Sequence, residues 1–211
     1  PGQGKRFYPM MVDVFESPEC EFIIGERSLY DAVVIAYRKQ AATAPNVISA
    51  VHNIGATYIP LQDSMVIRIL PNLELTPAQR NSVVMQRFAG TKKDVSKVSW
   101  QKNWAMAKFR DFGNFQLVLD QEAPVILPIG FADKANLSGK PRLSFTVTDN
   151  LDEWKVLRTE IDGRWIRFTN DKAKYFHYRF DEKCGPGAHI LKIIAEDEAG
   201  NRTEKEFHFT R

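Results

Sequence analysis

The sequence predicts an all-β protein built from two tandem immunoglobulin-like antiparallel β-sandwich domains. Three observations carry that prediction. Short alternating or β-branched runs recur along the chain, separated by Gly, Pro, Asn and Asp. One short segment alone has helical signals. The 211 residues come close to twice the roughly 100 residues that one such sandwich needs.

Taken in order, Met10 to Phe15 alternates and stops at Ser17-Pro18, and Phe22 to Ile24 runs into Gly25. Asp31 to Tyr37 is rich in Val and Ile, and the small polar stretch 40–46 after it is a loop. Ile48 to Ile54 and Met65 to Leu70 are the next strands, closed by Gly55 and Pro71. Leu75 to Arg80 is the helix: Thr76 can cap it and Pro77 suits its first position. Ser82 to Phe88 is a strand, and Gly90 to Asp94 a turn. Val98 to Trp100 and Trp104 to Phe109 form a hairpin, and Phe115 to Asp120 ends the first domain.

Glu122-Ala123-Pro124 marks the boundary, giving domains of 1–121 and 122–211. Beyond it Arg142 to Thr148 alternates, with Leu143, Phe145 and Val147 on one side. Leu157 to Ile161 and Trp165 to Phe168 form a hairpin across Asp162-Gly163, a strong turn signal. Tyr175 to Phe180, His189 to Ala195 and Glu204 to Phe209 complete the second domain.

A net charge of +3 spread among acidic residues is a mixed, solvated surface. A nucleic-acid binder would cluster its basic side chains on one face, so no nucleic-acid partner is expected. No stretch approaches the roughly 20 apolar residues of a membrane-spanning helix. The polar start Pro1 to Arg6 shows no signal peptide, and without an initiator Met the chain reads as a fragment or a mature product. Cys20 and Cys184 fall in different predicted domains and are expected to be free thiols.

Chemistry-bearing patterns are sparse, and no catalytic residue, metal ligand or cofactor site is expected. His177 and Asp181, four apart on a strand, could share a face, but no second pair of ligands follows them. Cys184 and His189 flank a Gly-Pro-Gly turn and read the same way. Asp149, Asp152 and Asp162 lie near turns, where local hydrogen bonding explains them better than calcium does. Among the four tryptophans, Trp104 and Trp154 are the binding candidates. Trp154 has charged neighbours that argue for partial exposure, whereas the strand pattern around Trp165 argues for the core.

Several stretches resemble one family. They are Arg110 to Leu117, Asp162 to Phe168, Phe180 to Cys184, Gly187 to His189 and Glu196 to Thr203, with Ser28 to Asp31 and Ser49 to Ile54 upstream. Together they are similar to the C-terminal, non-catalytic region of lysostaphin-like peptidoglycan metallopeptidases of Bacteroidetes. The resemblance covers most of the chain, most specifically 105–211. It implies a periplasmic, cell-surface or secreted protein whose zinc peptidase domain lies upstream on the same polypeptide. The family's H-x-x-x-D motif usually has a central Gly and is joined by H-x-H. His177 to Asp181 lacks both, so no catalytic residue carries over.

The expectation is therefore a non-catalytic accessory module that positions a peptidase on peptidoglycan or against another envelope protein. The alternatives are a general surface module that binds glycan or protein, as adhesins do, and a structural spacer.

Overall fold

The computed structural model describes residues 3–172 and 174–211. The chain divides into two compact units, Pro1–Asp120 and Gln121–Arg211. In the first, the strands are β1 (Gln3–Phe7), β2 (Asp13–Glu16), β3 (Cys20–Ile24), β4 (Val33–Gln40), β5 (Val51–Ile54) and β6 (Met65–Ile69). The helix α1 (Pro77–Asn81) follows, then β7 (Val83–Ala89), β8 (Lys92–Lys97), β9 (Ser99–Gln101), β10 (Trp104–Phe109) and β11 (Gly113–Leu119). The second unit has β12 (Val125–Pro128), β13 (Ala135–Asn136), β14 (Arg142–Thr148), β15 (Val156–Ile161) and β16 (Arg164–Trp165). It ends with β17 (Thr169–Asp171), β18 (Tyr175–Arg179), β19 (Ala188–Glu196) and β20 (Arg202–Thr210).

Each unit is a two-sheet sandwich, so the fold is the tandem immunoglobulin-like one. In the first, the order β1-β4-β5-β11-β7-β8 faces β2-β3-β6-β10-β9. Alternation along β3, β6 and β10 turns Phe22, Ile24, Ile67, Ile69, Ala105 and Phe109 inward, against Ile35, Ile54, Phe115 and Leu117 of the other sheet. Phe7 and Phe22 meet across the core with ring centroids 5.6 Å apart, and Phe109 meets Phe115 edge-on at 5.2 Å. The helix carries the predicted cap: Thr76 Oγ1 accepts from Gln79 N, and the Gln79 side chain accepts from Thr76 N at 2.9 Å.

One turn and one buried side chain hold the first unit's last strand in place. Gly113 (φ +154) follows the buried Phe112, and a Cβ there would meet Phe88 O at 3.0 Å. Buried Arg87 donates to Phe112 O from Nε (3.1 Å) and Nη2 (2.7 Å) and pairs with Asp94 at 2.9 Å. Much of the 110–117 motif is therefore explained by backbone packing.

The second unit pairs β12-β14-β18-β17 with β13-β20-β19-β15-β16 over a core of Leu143, Phe145, Val147, Leu191, Ile193 and Phe207. The β15–β16 hairpin turns at Asp162 (φ 53) and Gly163 (φ 75), the left-handed pair that the sequence there favours. In the β19–β20 turn, buried Asp197 Oδ1 accepts from Gly200 N at 2.7 Å and Asn201 N at 2.8 Å. The Asn201 amide in turn donates to Glu122 O at 3.3 Å, tying the unit's first residues to that turn.

Several elements differ from the sequence expectation. Met10 to Val12 are exposed and precede the strand, and Met10 takes a left-handed φ of 62°. Strands β1, β8, β12, β13 and β17 were not anticipated, and each is the outermost strand of its sheet. β13 also pairs parallel with β20, where every other pairing of named strands is antiparallel among the described residues.

Candidate functional site

The chemistry-bearing residues of the sequence do not converge. His177 Nδ1 lies 2.8 Å from Ser144 Oγ on β14. Asp181, beyond the end of β18, accepts instead from the Tyr178 hydroxyl and from Lys183 N at 3.0 Å. Burial and that carboxylate push the Tyr178 phenol up, while the Tyr178 hydrogen bond holds Asp181 below the usual carboxylate range. Among the described residues no group of three or more His, Cys, Asp or Glu side chains is placed to hold a metal ion.

Cys20 and Cys184 are both buried free thiols, one in each unit. Burial raises both, Cys184 to about 11, so neither has the thiolate character of a nucleophile. The turn aspartates do local work: Asp149 accepts from Leu151 N (2.9 Å), Asp152 pairs with Lys174 (3.1 Å) and Asp162 accepts from Ile190 N (2.9 Å).

Behind a 730 Å³ cleft of the first unit lies a contact the sequence did not reveal. The Tyr37 hydroxyl is 2.9 Å from Nδ1 of fully buried His52 and 3.3 Å from Ser17 Oγ. Ser17 is itself locked into the β2–β3 turn, donating to Cys20 O at 2.7 Å. The cleft lining includes the Lys39–Glu19 ion pair at 2.5 Å.

The tryptophans fall into two groups. In the first unit Trp104 is half-buried on β10, and the Arg68 guanidinium covers its ring 5.2 Å from the centroid. Arg68 is held there by Glu21 (2.5 Å) and Gln101 (2.9 Å). Trp100 is similarly occupied, donating to Arg80 O at 3.2 Å beneath the Arg80 guanidinium.

In the second unit Trp154 and Trp165 line one groove of 330 Å³. Half-buried Trp154 meets Phe176 edge-on at 6.2 Å, so the core fixes one side of its indole. Trp165, expected in the core, is 61% exposed. The reason is the pleat. The segment from 165 to 169 crosses from the edge of one sheet to the edge of the other, and Ile166 and Phe168 plug the core between them. Trp165, Arg167 and Thr169 then all point outward. Ile166 N donates to Thr159 O (3.0 Å) and the Thr159 hydroxyl returns a bond to Ile166 O, fixing the register. The signal was available: Arg167 cannot be buried unpaired in a strand, so Trp165, two residues earlier, shares its outward face.

Together, the two sheet pairs define a tandem immunoglobulin-like β-sandwich protein whose second unit carries a solvent-facing indole groove. The chain belongs to the Zu5-like domain family, which matches residues 5–120. The match takes in the first unit, and the tryptophan groove lies outside it. No curated protein matches the sequence. Among solved structures, the fibronectin(III)-like modules of Clostridium thermocellum CbhA share 11% identity over 70% of this chain and 85% of that one, at a TM-score of 0.31.

Proposed function

We propose that this chain is a non-catalytic accessory module of the cell envelope, periplasmic or surface-exposed, that binds a wall polymer through Trp154 and Trp165. One observation carries the reading: a large indole held in the open beside a second indole that the core holds in place. An exposed aromatic side chain of this size loses stabilisation by facing water, and a ligand that covers it recovers that loss. Trp104 is the candidate of the first unit, with Arg68 already on one face.

The finer part of the proposal is that the parent is a peptidoglycan peptidase. Its support is the resemblance in 110–117 and 196–203. The module then places the peptidase domain on its substrate and does no chemistry itself.

The test is co-sedimentation of the chain with insoluble peptidoglycan at low salt and at about 0.5 M salt, which shortens the screening length to a few ångströms. Retention at high salt that Trp165→Ala abolishes supports a wall-binding module. Equal retention of the variant refutes the groove. Absence of retention in the wild type refutes wall binding and leaves a protein-contact module or spacer.

A further inference from the structure

The groove does not end at Trp165. A second depression of 300 Å³ adjoins it, and the two share Trp165 and Arg167. Taken together they present Lys155, Arg167, Arg179 and Lys183 against one carboxylate, Asp181. The Asp181 carboxylate is occupied by Tyr178 and Lys183 N. Arg167 and Arg179 hold no ion pair among the described residues. The second unit as a whole has equal numbers of basic and acidic side chains. The surplus of cations on this wall is therefore local, and it is centred on an exposed indole.

We propose that this double groove binds a carboxylate-bearing glycan, with one sugar ring stacked on Trp165 and acidic groups of the flanking residues on Arg167 and Arg179. The inference rests on the groove being a ligand site, as argued above, and names the ligand's chemistry. The apolar face of a pyranose ring matches the flat indole, which has no hydrogen-bond demand except at its N–H. A guanidinium matches a carboxylate with two parallel hydrogen bonds, and Arg167 and Arg179 are free to form them. A neutral glycan would leave those cations unmatched. Single-stranded nucleic acid would call for successive stacking platforms along a basic track, and this wall offers one open indole. Two sources share the chemistry: a polymer of uronic acids, and peptidoglycan, whose stem peptides bear carboxylates on the sugar chain.

The test measures binding of the full chain by affinity electrophoresis and calorimetry. The probes are polygalacturonate, its methyl-esterified form, purified peptidoglycan and an oligonucleotide of equal charge. The variants are Trp165→Ala and Arg167→Gln, both on the outer face, with thermal melts to confirm folding. The expected result is binding to polygalacturonate or peptidoglycan that weakens at least tenfold in each variant. Esterification is expected to weaken polygalacturonate binding by a similar factor. Binding to polygalacturonate assigns a uronate polymer. Binding to peptidoglycan alone assigns the stem-peptide source.

Equal binding of the esterified polymer, with Arg167→Gln silent and Trp165→Ala defective, overturns the acidic assignment and leaves the groove as a neutral glycan site. Wild-type-like binding by Trp165→Ala in every arm overturns both readings. Tightest binding of the oligonucleotide through the same two residues reassigns the wall to nucleic acid. No binding to any probe overturns the inference.

Discussion

Acidification should destabilise the first unit through His52, and the size of the effect can be worked from its surroundings. The ring is fully buried, with the Tyr37 hydroxyl 2.9 Å from Nδ1 and no hydrogen-bond partner on Nε2. A proton there would put a charge in the core. Burial therefore pushes the imidazole down from 6.5 to about 4, with nearby Glu19 and Lys39 acting in opposite directions. Because the folded value lies below the unfolded one, the unfolded chain takes up the proton first. The contribution is fully present above pH 6.5, declines as pH falls, and is lost by about pH 4. At roughly 1.4 kcal/mol per unit, the gap amounts to about 3 kcal/mol.

The assay compares wild type with His52→Phe by hydrogen exchange of peptides from the first unit, at pH 7.5 and 4.5. Phe keeps the ring but loses the contact to Tyr37, so it lowers stability at both pH values. The diagnostic quantity is the difference between the two losses on acidification. Wild type should lose about 2–3 kcal/mol more than the variant. Equal losses would refute the assignment of the neutral buried form.

Other positions give independent tests. His189 has the opposite sign: burial disfavours its charge, but Asp162 (2.7 Å) and Gly185 O (2.7 Å) accept from both ring nitrogens and raise it above its ordinary value. Its contribution is present below about pH 6.5 and lost as pH rises through the folded value, so an NMR titration midpoint below 6.5 would contradict the geometry. Gly55→Ala should cost at least about 2 kcal/mol in a urea melt, since φ is +62 and the new Cβ would lie 2.6 Å from the Phe112 ring. Arg87→Met should cost about 2–4 kcal/mol, because it strips both donors from the Phe112 carbonyl. A change below 0.5 kcal/mol would show that carbonyl to be satisfied by other means.

How far the sequence could be read depended on where each strand lies in its sheet. Interior strands such as β3, β6, β14 and β19 bury one face between sheets, so apolar alternation exposes them. The overlooked strands are sheet edges. Lys92 to Lys97 buries no side chain fully, and its pairing with β7 is a property of the backbone. A composition that reads as a turn can therefore be a strand wherever a neighbour supplies the hydrogen bonds. The helix was legible because capping chemistry is local: Thr76, Pro77 and Gln79 contain the whole motif.

The candidate site shows the same divide. Trp154 was visible through its charged neighbours. Trp165 was misassigned because a strand pattern says that half the residues are buried without saying which half. Arg167 decides the phase, and its meaning emerges once Ile166 and Phe168 are seen to close the sandwich. The His52–Tyr37 contact was out of reach, because it joins β4 and β5 at positions that no spacing rule relates.

The character of those edge strands has a consequence for how such modules can be displayed. An unpaired strand edge is a template for strand addition by a neighbouring molecule. Here β8 carries Lys92, Lys93 and Lys97, β13 and β16 are two residues long, and β17 is the fully exposed Thr169 to Asp171. Each of these edges is too short or too charged to recruit a partner strand. Copies crowded together, or strung in series along one polypeptide, would resist zipping through these four edges, which leaves strand addition to the others, β12 with its exposed Val125 and Leu127 among them.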